Sequence, residues 1–241
     1  MRLDIYLFKN GYAKSRTRAQ SLIKQGFVKV NDKPVTKTGT PIEDDDEVDL
    51  LEQDHPYVSR GAFKLKGILD SLKHNFTNKN VIDIGSSTGG FCQISLEYGA
   101  EHVVAIDVGT DQLDSSLRNL EKLTVLEQTD ARNLEKNMLP VVPNILVSDV
   151  SFISQTRILP HILNEFKSIK QLYILVKPQF ELTKGKIGRG GIVRSKKDRE
   201  EALNSVINCV KENCFIVKHI IDSPIKGGEG NCEYMLYGER L

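Results

Sequence analysis

What the chain lacks narrows its class first. Its 241 residues include no tryptophan, four cysteines and no long apolar run. The missing tryptophan decides nothing about function. Cys92, Cys209, Cys214 and Cys232 show no C-x-x-C spacing and no histidine at zinc-finger distance, so neither a disulfide framework nor a metal site is expected. They read as reduced thiols of a cytoplasmic protein. Apolar runs such as 81–85 and 145–147 fall well short of the roughly 20 residues that span a bilayer. The start, Met1-Arg2-Leu3-Asp4, carries no apolar signal-peptide core. Excess charge of one sign is also missing: 33 basic against 32 acidic residues leave a net charge of +1. G-x-G-x-x-G and G-K-[ST] do not occur, which removes the dinucleotide fingerprint and the P-loop. With 39% hydrophobic and 27% charged residues, the composition is that of a globular chain of one or two domains.

The neutral average hides an uneven distribution. Residues 1–40 hold nine Lys or Arg and two acids, whereas residues 41–54 hold eight acids and no base. A basic block on a small unit is an electrostatic footprint for phosphate, although a charge run is often only a solvated face. Leu3, Leu7 and Phe8 fall at helical spacing, and Gly11 stops that helix. Ser15 is a natural N-cap for a second helix with Ala19, Leu22 and Ile23 on its apolar face, ended by Gly26. Phe27–Val30 alternates like a strand, Asn31-Asp32 makes a turn, Lys33–Val35 returns, and Val48–Leu50 offers a third short strand. Residues 1–54 resemble an S4-type RNA-binding domain, carried by Arg2-Leu3-Asp4, Ser15-Arg16 with Ala19 and Leu22-Ile23, and the run Gly26–Asn31. The resemblance implies that Arg2, Lys14, Arg16, Arg18 and Lys24 face RNA. Pro56 breaks periodicity, and 55–58 read as a linker.

From residue 59 the pattern alternates strand and helix, which predicts a mostly parallel sheet covered by helices, an α/β domain over 59–241. Strands are expected at 81–85, 102–107, 123–126, 144–148, 172–176, 215–221 and 232–237, the last two joined around 223–231. Ser195 caps a long helix over 196–213 with Asp198 at the capping-box position. The first strand runs into Asp83-Ile84-Gly85-Ser86-Ser87-Thr88-Gly89-Gly90-Phe91. A glycine turn there lets a ligand approach the backbone. Asp107 ends the second strand, where an acid can hold the hydroxyls of a ribose, and Asp130 follows the third, placed for an adenine amino group. The ordered set resembles the S-adenosylmethionine site of a class I methyltransferase.

The loop after the fourth strand reads Ser148-Asp149-Val150-Ser151-Phe152 and lacks the Pro-Pro of base N-methyltransferases; no cysteine near it could serve a base C5-methyltransferase. What remains is Lys64, Asp149, Lys177 and Glu233 at topologically convergent places. Lys177 is the least expected, because a lysine closing an apolar strand is costly unless paired. The order K-D-K-E resembles the ribose 2′-O-methyltransferase tetrad of the FtsJ/RrmJ type. The whole chain resembles the TlyA family of rRNA methyltransferases, historically called haemolysins. The matching runs are Val58–Leu65, Asp83–Phe91, Val147–Ser154, Lys177–Glu181 and Gly230–Tyr234.

That resemblance implies methylation of cytidine ribose in ribosomal RNA, with Asp149 serving both cofactor and chemistry. Because the chain begins and ends close to its two domains, it resembles the short type acting on the large subunit, in helix 69 of 23S rRNA. Lys177 then either takes the hydroxyl proton or orients the hydroxyl and stabilises developing negative charge. The segment 181–194 holds four glycines and four bases and is expected to be a mobile basic loop, with Lys184 and Arg189 on RNA phosphate. Arg60 is expected to do the same or to form an ion pair. Two rival readings are a membrane-active haemolysin and a non-catalytic ribosome-assembly factor.

Overall fold

The computed structural model describes residues 1–13, 15–24, 26–43, 45–50, 56–227 and 230–241, with backbone only at Ser21, Lys24 and Arg189. Two compact units divide the chain, Met1–Pro56 and Tyr57–Leu241.

In the first unit, α1 (Leu3–Lys9) and α2 (Arg16–Lys24) pack with three short strands, β1 (Val28–Val30), β2 (Lys33–Val35) and β3 (Val48–Leu50). These form an antiparallel sheet in the order β2-β1-β3. Ser15 caps α2, its hydroxyl accepting from the Arg18 N–H at 3.1 Å. Asn31 and Asp32 both adopt positive φ, 50° and 62°, as a tight hairpin turn requires. Leu3, Leu7, Ala19, Leu22 and Ile23 bury their side chains with Val28, Ile42 and Val48, so the helical spacing of the sequence becomes one small core.

The second unit contains α3 (Gly61–Leu72), β4 (Asn80–Ile84), α4 (Gly90–Glu97), β5 (His102–Ile106), α5 (Ser115–Arg118), β6 (Leu123–Leu126), β7 (Ile145–Ser148), α6 (Leu159–Glu165), β8 (Gln171–Val176), α7 (Pro178–Glu181), α8 (Lys196–Glu212), β9 (Phe215–Asp222) and β10 (Tyr234–Arg240). The sheet order is β6-β5-β4-β7-β8-β10-β9. All pairs are parallel except those of β10, which runs antiparallel to both β8 and β9. Period-two alternation sends Val81, Val103, Val147 and Tyr173 to the face covered by α3 and α4, and Ile82, Val104, Leu146 and Ile174 to the opposite face.

Two expectations change here. Tyr57 and Val58, read as linker, are tied to the larger unit. Tyr57 is buried edge-on against Phe63 at 5.1 Å, and the Val58 N–H donates to Gln93 Oε1 at 2.8 Å. The segment 181–194 is not a plain loop. It contains the end of α7 and two 3₁₀ turns, Lys184–Lys186 and Arg189–Gly191. Asn231 pins it by accepting from the Val193 N–H and donating to the Gly191 carbonyl, both at 2.9 Å. Arg199 of α8 holds the Arg194 carbonyl at 2.8 Å. Buried backbone needs partners, and these side chains supply them.

Candidate active site

The strand order reverses between β4 and β7, and the residues just past the parallel strands meet at that crevice. Register brings Ile84 level with both Ile106 and Ser148, so Gly85, Asp107 and Asp149 leave the sheet side by side. A cavity of about 480 Å³ opens there, lined by Gly85, Ser87, Asp107, Asp130, Asp149 and Phe152 among others. Gly85 has φ +80°, and a Cβ on it would lie 2.8 Å from the Asp149 carbonyl, so glycine is required to keep the crevice open. Asp107 is fixed by two backbone donors, Ser87 N–H and Gly109 N–H, each at 2.8 Å.

Other members of the motif serve beneath the crevice. Asp83 is fully buried, accepts from the Cys92 thiol at 3.0 Å and does not line the cavity; its Oδ1 has no partner among the described residues. Burial pushes its carboxyl up to about 7 and the Cys92 thiol upward as well. Ser86, Gly90 and Phe91 are buried, and Thr88 and Gly89 also lie outside the cavity wall. Gly90 has a structural reason: a Cβ there would come within 2.9 Å of the Ala62 N–H, so glycine lets the first turns of α3 and α4 touch. Asp130 does reach the cavity, but it already caps a 3₁₀ turn and pairs with Arg132 at 2.6 Å.

The contact of α3 with α4 carries Lys64 to the crevice. Its Nζ donates to Glu233 Oε2 at 2.7 Å and lies 3.9 Å from Asp149 Oδ2. Asp149 Oδ1 meets Lys177 Nζ at 2.5 Å, and Lys177 donates to Ser151 Oγ at 2.8 Å. The four charges therefore alternate in one chain, Glu233–Lys64–Asp149–Lys177, with side chains 2–18% exposed. Alternation is what makes such burial tolerable, since each ion has an opposite neighbour. Lys177 also sits 5.9 Å from the centre of the Phe180 ring.

Phe152, which no sequence argument singled out, is 91% exposed at φ +65° and lies 5.1 Å from Phe180. An exposed aromatic in the left-handed region is costly. Its signal was an aromatic residue three positions after the strand-end Asp149. In the first unit, Asp4 is fully buried and accepts from Arg2 Nε and Arg16 Nε, both at 3.0 Å, and from Gln20 at 2.8 Å. The hydrogen bond from Arg2 holds the Asp4 carboxyl well below the usual range. Arg2 and Arg16 thus share one buried anion, with guanidinium groups about half exposed. Lys184 is exposed, Arg18 is half-buried, and Arg60 precedes α3, also half-buried. Lys14 and the side chains of Lys24 and Arg189 lie outside the described residues.

Comparison with known proteins now has geometry to meet. The FtsJ-like methyltransferase family matches residues 57–240, and the S4 domain matches residues 1–48. The chain belongs to the TlyA family of FtsJ-like methyltransferases. The 16S/23S rRNA (cytidine-2'-O)-methyltransferase TlyA of Mycobacterium tuberculosis is 37% identical over 237 residues, 98% of this chain and 88% of its own. Hemolysin A of Brachyspira hyodysenteriae is 40% identical over 238 residues, 98% of this chain and 99% of its own. A solved structure from Streptococcus thermophilus, named as a hemolysin, has a TM-score of 0.77 at 36% identity and covers all of this chain and 88% of its own. Among the described residues, no helix is long and apolar enough to cross a membrane.

Proposed function

We propose that this chain methylates the 2′-hydroxyl of a cytidine ribose in ribosomal RNA, using S-adenosylmethionine and acting in the cytoplasm. The observation that carries the reading is the chain Glu233–Lys64–Asp149–Lys177 at the rim of the crevice. The residues present fit the cofactor. About 480 Å³ is of small-molecule size, Gly85 adds no side chain of its own to the cavity wall, and Asp107 is pre-set by two N–H donors. Asp107 would take the ribose hydroxyls and Asp130 the adenine edge, with Gly85 to Ser87 against the amino-acid portion. The unpartnered Oδ1 of Asp83 marks a buried acceptor under that cradle. When bound, the cofactor supplies a methyl group on a positively charged sulfur.

The protein's own part is positioning and charge. The ammonium of Lys177 donates one N–H to Ser151 and lies 2.5 Å from the Asp149 carboxylate in an ion pair. A remaining N–H can meet the 2′-oxygen and stabilise the negative charge that grows on it as its proton passes to solvent water. A cation already locked between two acceptors needs little reorganisation at that moment. Lys64 and Glu233 keep Asp149 from turning away. Phe152 and Phe180 offer an apolar face beside Lys177 on which a base can stack. Arg2, Arg16 and Arg18 of the S4 unit, with Arg60 and Lys184, supply contacts to RNA phosphate.

The finer assignment, to large-subunit RNA and to helix 69 of 23S rRNA, rests on the family resemblance alone, since the name of the mycobacterial relative gives both 16S and 23S rRNA. Methyl transfer from labelled S-adenosylmethionine to separate unmodified large and small subunits tests it, followed by mapping of the labelled ribose. Label confined to large-subunit RNA and reduced at least 100-fold by Lys177→Ala is the expected result. Label on both subunits keeps the chemistry and removes the subunit preference. A Lys177→Ala variant retaining more than about a tenth of the wild-type rate removes Lys177 from the reaction.

A further inference from the structure

Beside the ends of β7 and β8 lies a partly buried polar brace that the proposed chemistry does not use. Glu181, the last residue of α7, accepts from the Gln155 N–H at 2.9 Å through Oε1 and from the Ser154 hydroxyl through Oε2. Gln155, 1% exposed, donates from Nε2 to the Leu175 carbonyl at 3.2 Å and accepts from the Ser148 hydroxyl at 3.1 Å. Ser148 immediately precedes Asp149, and Leu175 lies two residues before Lys177. The same four hydrogen bonds therefore clamp the stems of both residues and close the loop 149–155 at its two ends. Inside that closed loop, Phe152 is held at φ +65° and turned out against Phe180, the neighbour of Glu181.

We propose that Glu181 is a positioning residue: through Ser154 and Gln155 it sets the contact of Asp149 with Lys177 and holds Phe152 in its strained outward pose. The inference rests on the tetrad reading above. Its physical basis is that a hydrogen-bonded brace in a desolvated place resists displacement, and a left-handed phenylalanine relaxes once its loop is untied. Burial also pushes the Glu181 carboxyl up from the ordinary glutamate range, so the group is kept there against a desolvation cost.

The test compares Glu181→Ala and Glu181→Gln in methyl transfer to ribosomal subunits, with S-adenosylmethionine binding measured by calorimetry. Glu181→Ala is expected to lower kcat about 30-fold, as a misplaced reacting group does, while cofactor affinity stays within about twofold. Glu181→Gln should stay within about threefold of wild type. Its carbonyl can still accept from Gln155, and its amide can donate to Ser154 once that hydroxyl turns to Thr156, 2.6 Å away. Because the chain has no tryptophan, Phe152→Trp installs a single fluorophore on the loop. Its emission should shift when combined with Glu181→Ala and stay put with Glu181→Gln.

Wild-type kcat in Glu181→Ala overturns the proposal. So does a Glu181→Gln variant as slow as the alanine one, which would make the ionised carboxylate itself the requirement. Parallel loss of rate and cofactor binding also overturns it, because Glu181 would then serve the fold alone. If Glu181→Ala fails to fold, Ser154→Ala removes one arm of the brace and should lower kcat about threefold with cofactor binding intact; an unchanged kcat overturns the proposal. Lys177→Ala run beside them separates the two readings. Activity in that variant sinks the tetrad, whereas an inactive Lys177→Ala with a full-rate Glu181→Ala sinks only the brace.

Discussion

Lys64 and Glu233 are 169 positions apart in the chain and 2.7 Å apart in the fold. Their side chains are 10% and 2% exposed, so the pair is buried as well as charged. Removing Lys64 leaves Glu233 desolvated without its counter-charge, a loss of about 3 kcal/mol, whereas removing Glu233 still leaves Lys64 with Asp149 at 3.9 Å. Lys64→Ala should lower stability in urea unfolding of the full chain by that amount, and Glu233→Ala by less. The double variant should cost less than the sum of the two, because the orphaned charge is gone. Additive losses would show that the pair contributes no coupling.

Asp107 is oriented by the backbone N–H groups of Ser87 and Gly109. Asp107→Ala is therefore expected to weaken S-adenosylmethionine binding by about 100-fold while leaving the unfolding midpoint nearly unchanged. Calorimetric titration alongside thermal unfolding checks both halves.

Asp83 gives a pH dependence with a definite sign. Burial raises its carboxyl to about 7 in the folded chain, whereas the unfolded chain titrates near 4. Between those values the folded state holds a proton that the unfolded state has released. Stability conferred by the neutral form is complete below about pH 4 and is lost as pH rises toward 7, at up to about 1.4 kcal/mol per pH unit. Asp83→Asn should flatten that slope. Denaturant titrations at pH 5 and pH 7 read the difference; an equal slope in the variant would assign the dependence to other groups.

Lys184 stands exposed in the first 3₁₀ turn after α7. Lys184→Glu should weaken RNA binding, and the slope of log affinity against log salt should fall by about one. Unchanged salt dependence would take this turn out of the RNA path.

Much of the architecture was legible along the chain because it depends on local rules. The caps Ser15 and Ser195, the stop at Gly26 and the strand at 123–126 follow from side-chain hydrogen bonding, positive φ and alternation over a few residues. That Lys64, Asp149, Lys177 and Glu233 could meet was legible too, through an Asp and a Lys closing apolar strands, a Glu opening another and a Lys just before the first strand of the larger unit. The brace of Glu181 was not, since its partners Ser154, Gln155, Ser148 and Leu175 lie on two other segments and look like ordinary loop and strand residues. Nor could the sequence separate Asp83 from Asp107: both are acids at strand ends, yet one is sealed against Cys92 and the other lines the cavity. Arg2 and Arg16 read as free cations until Asp4 is seen buried between them.

By itself, then, the sequence determined the elements, their order, the glycine turn and the chemical types at the crevice, because periodicity and capping act within a few residues. Only the tertiary structure decided which charges pair. The reason is topological. β10 enters the sheet between β8 and β9 in reverse, and Tyr234 pairs with Val176. That reversal brings the beginning of the last strand to the same edge as the ends of the parallel ones, and sets Glu233 beside Lys64. A coulombic contact depends on distance in space, which separation along the chain does not encode.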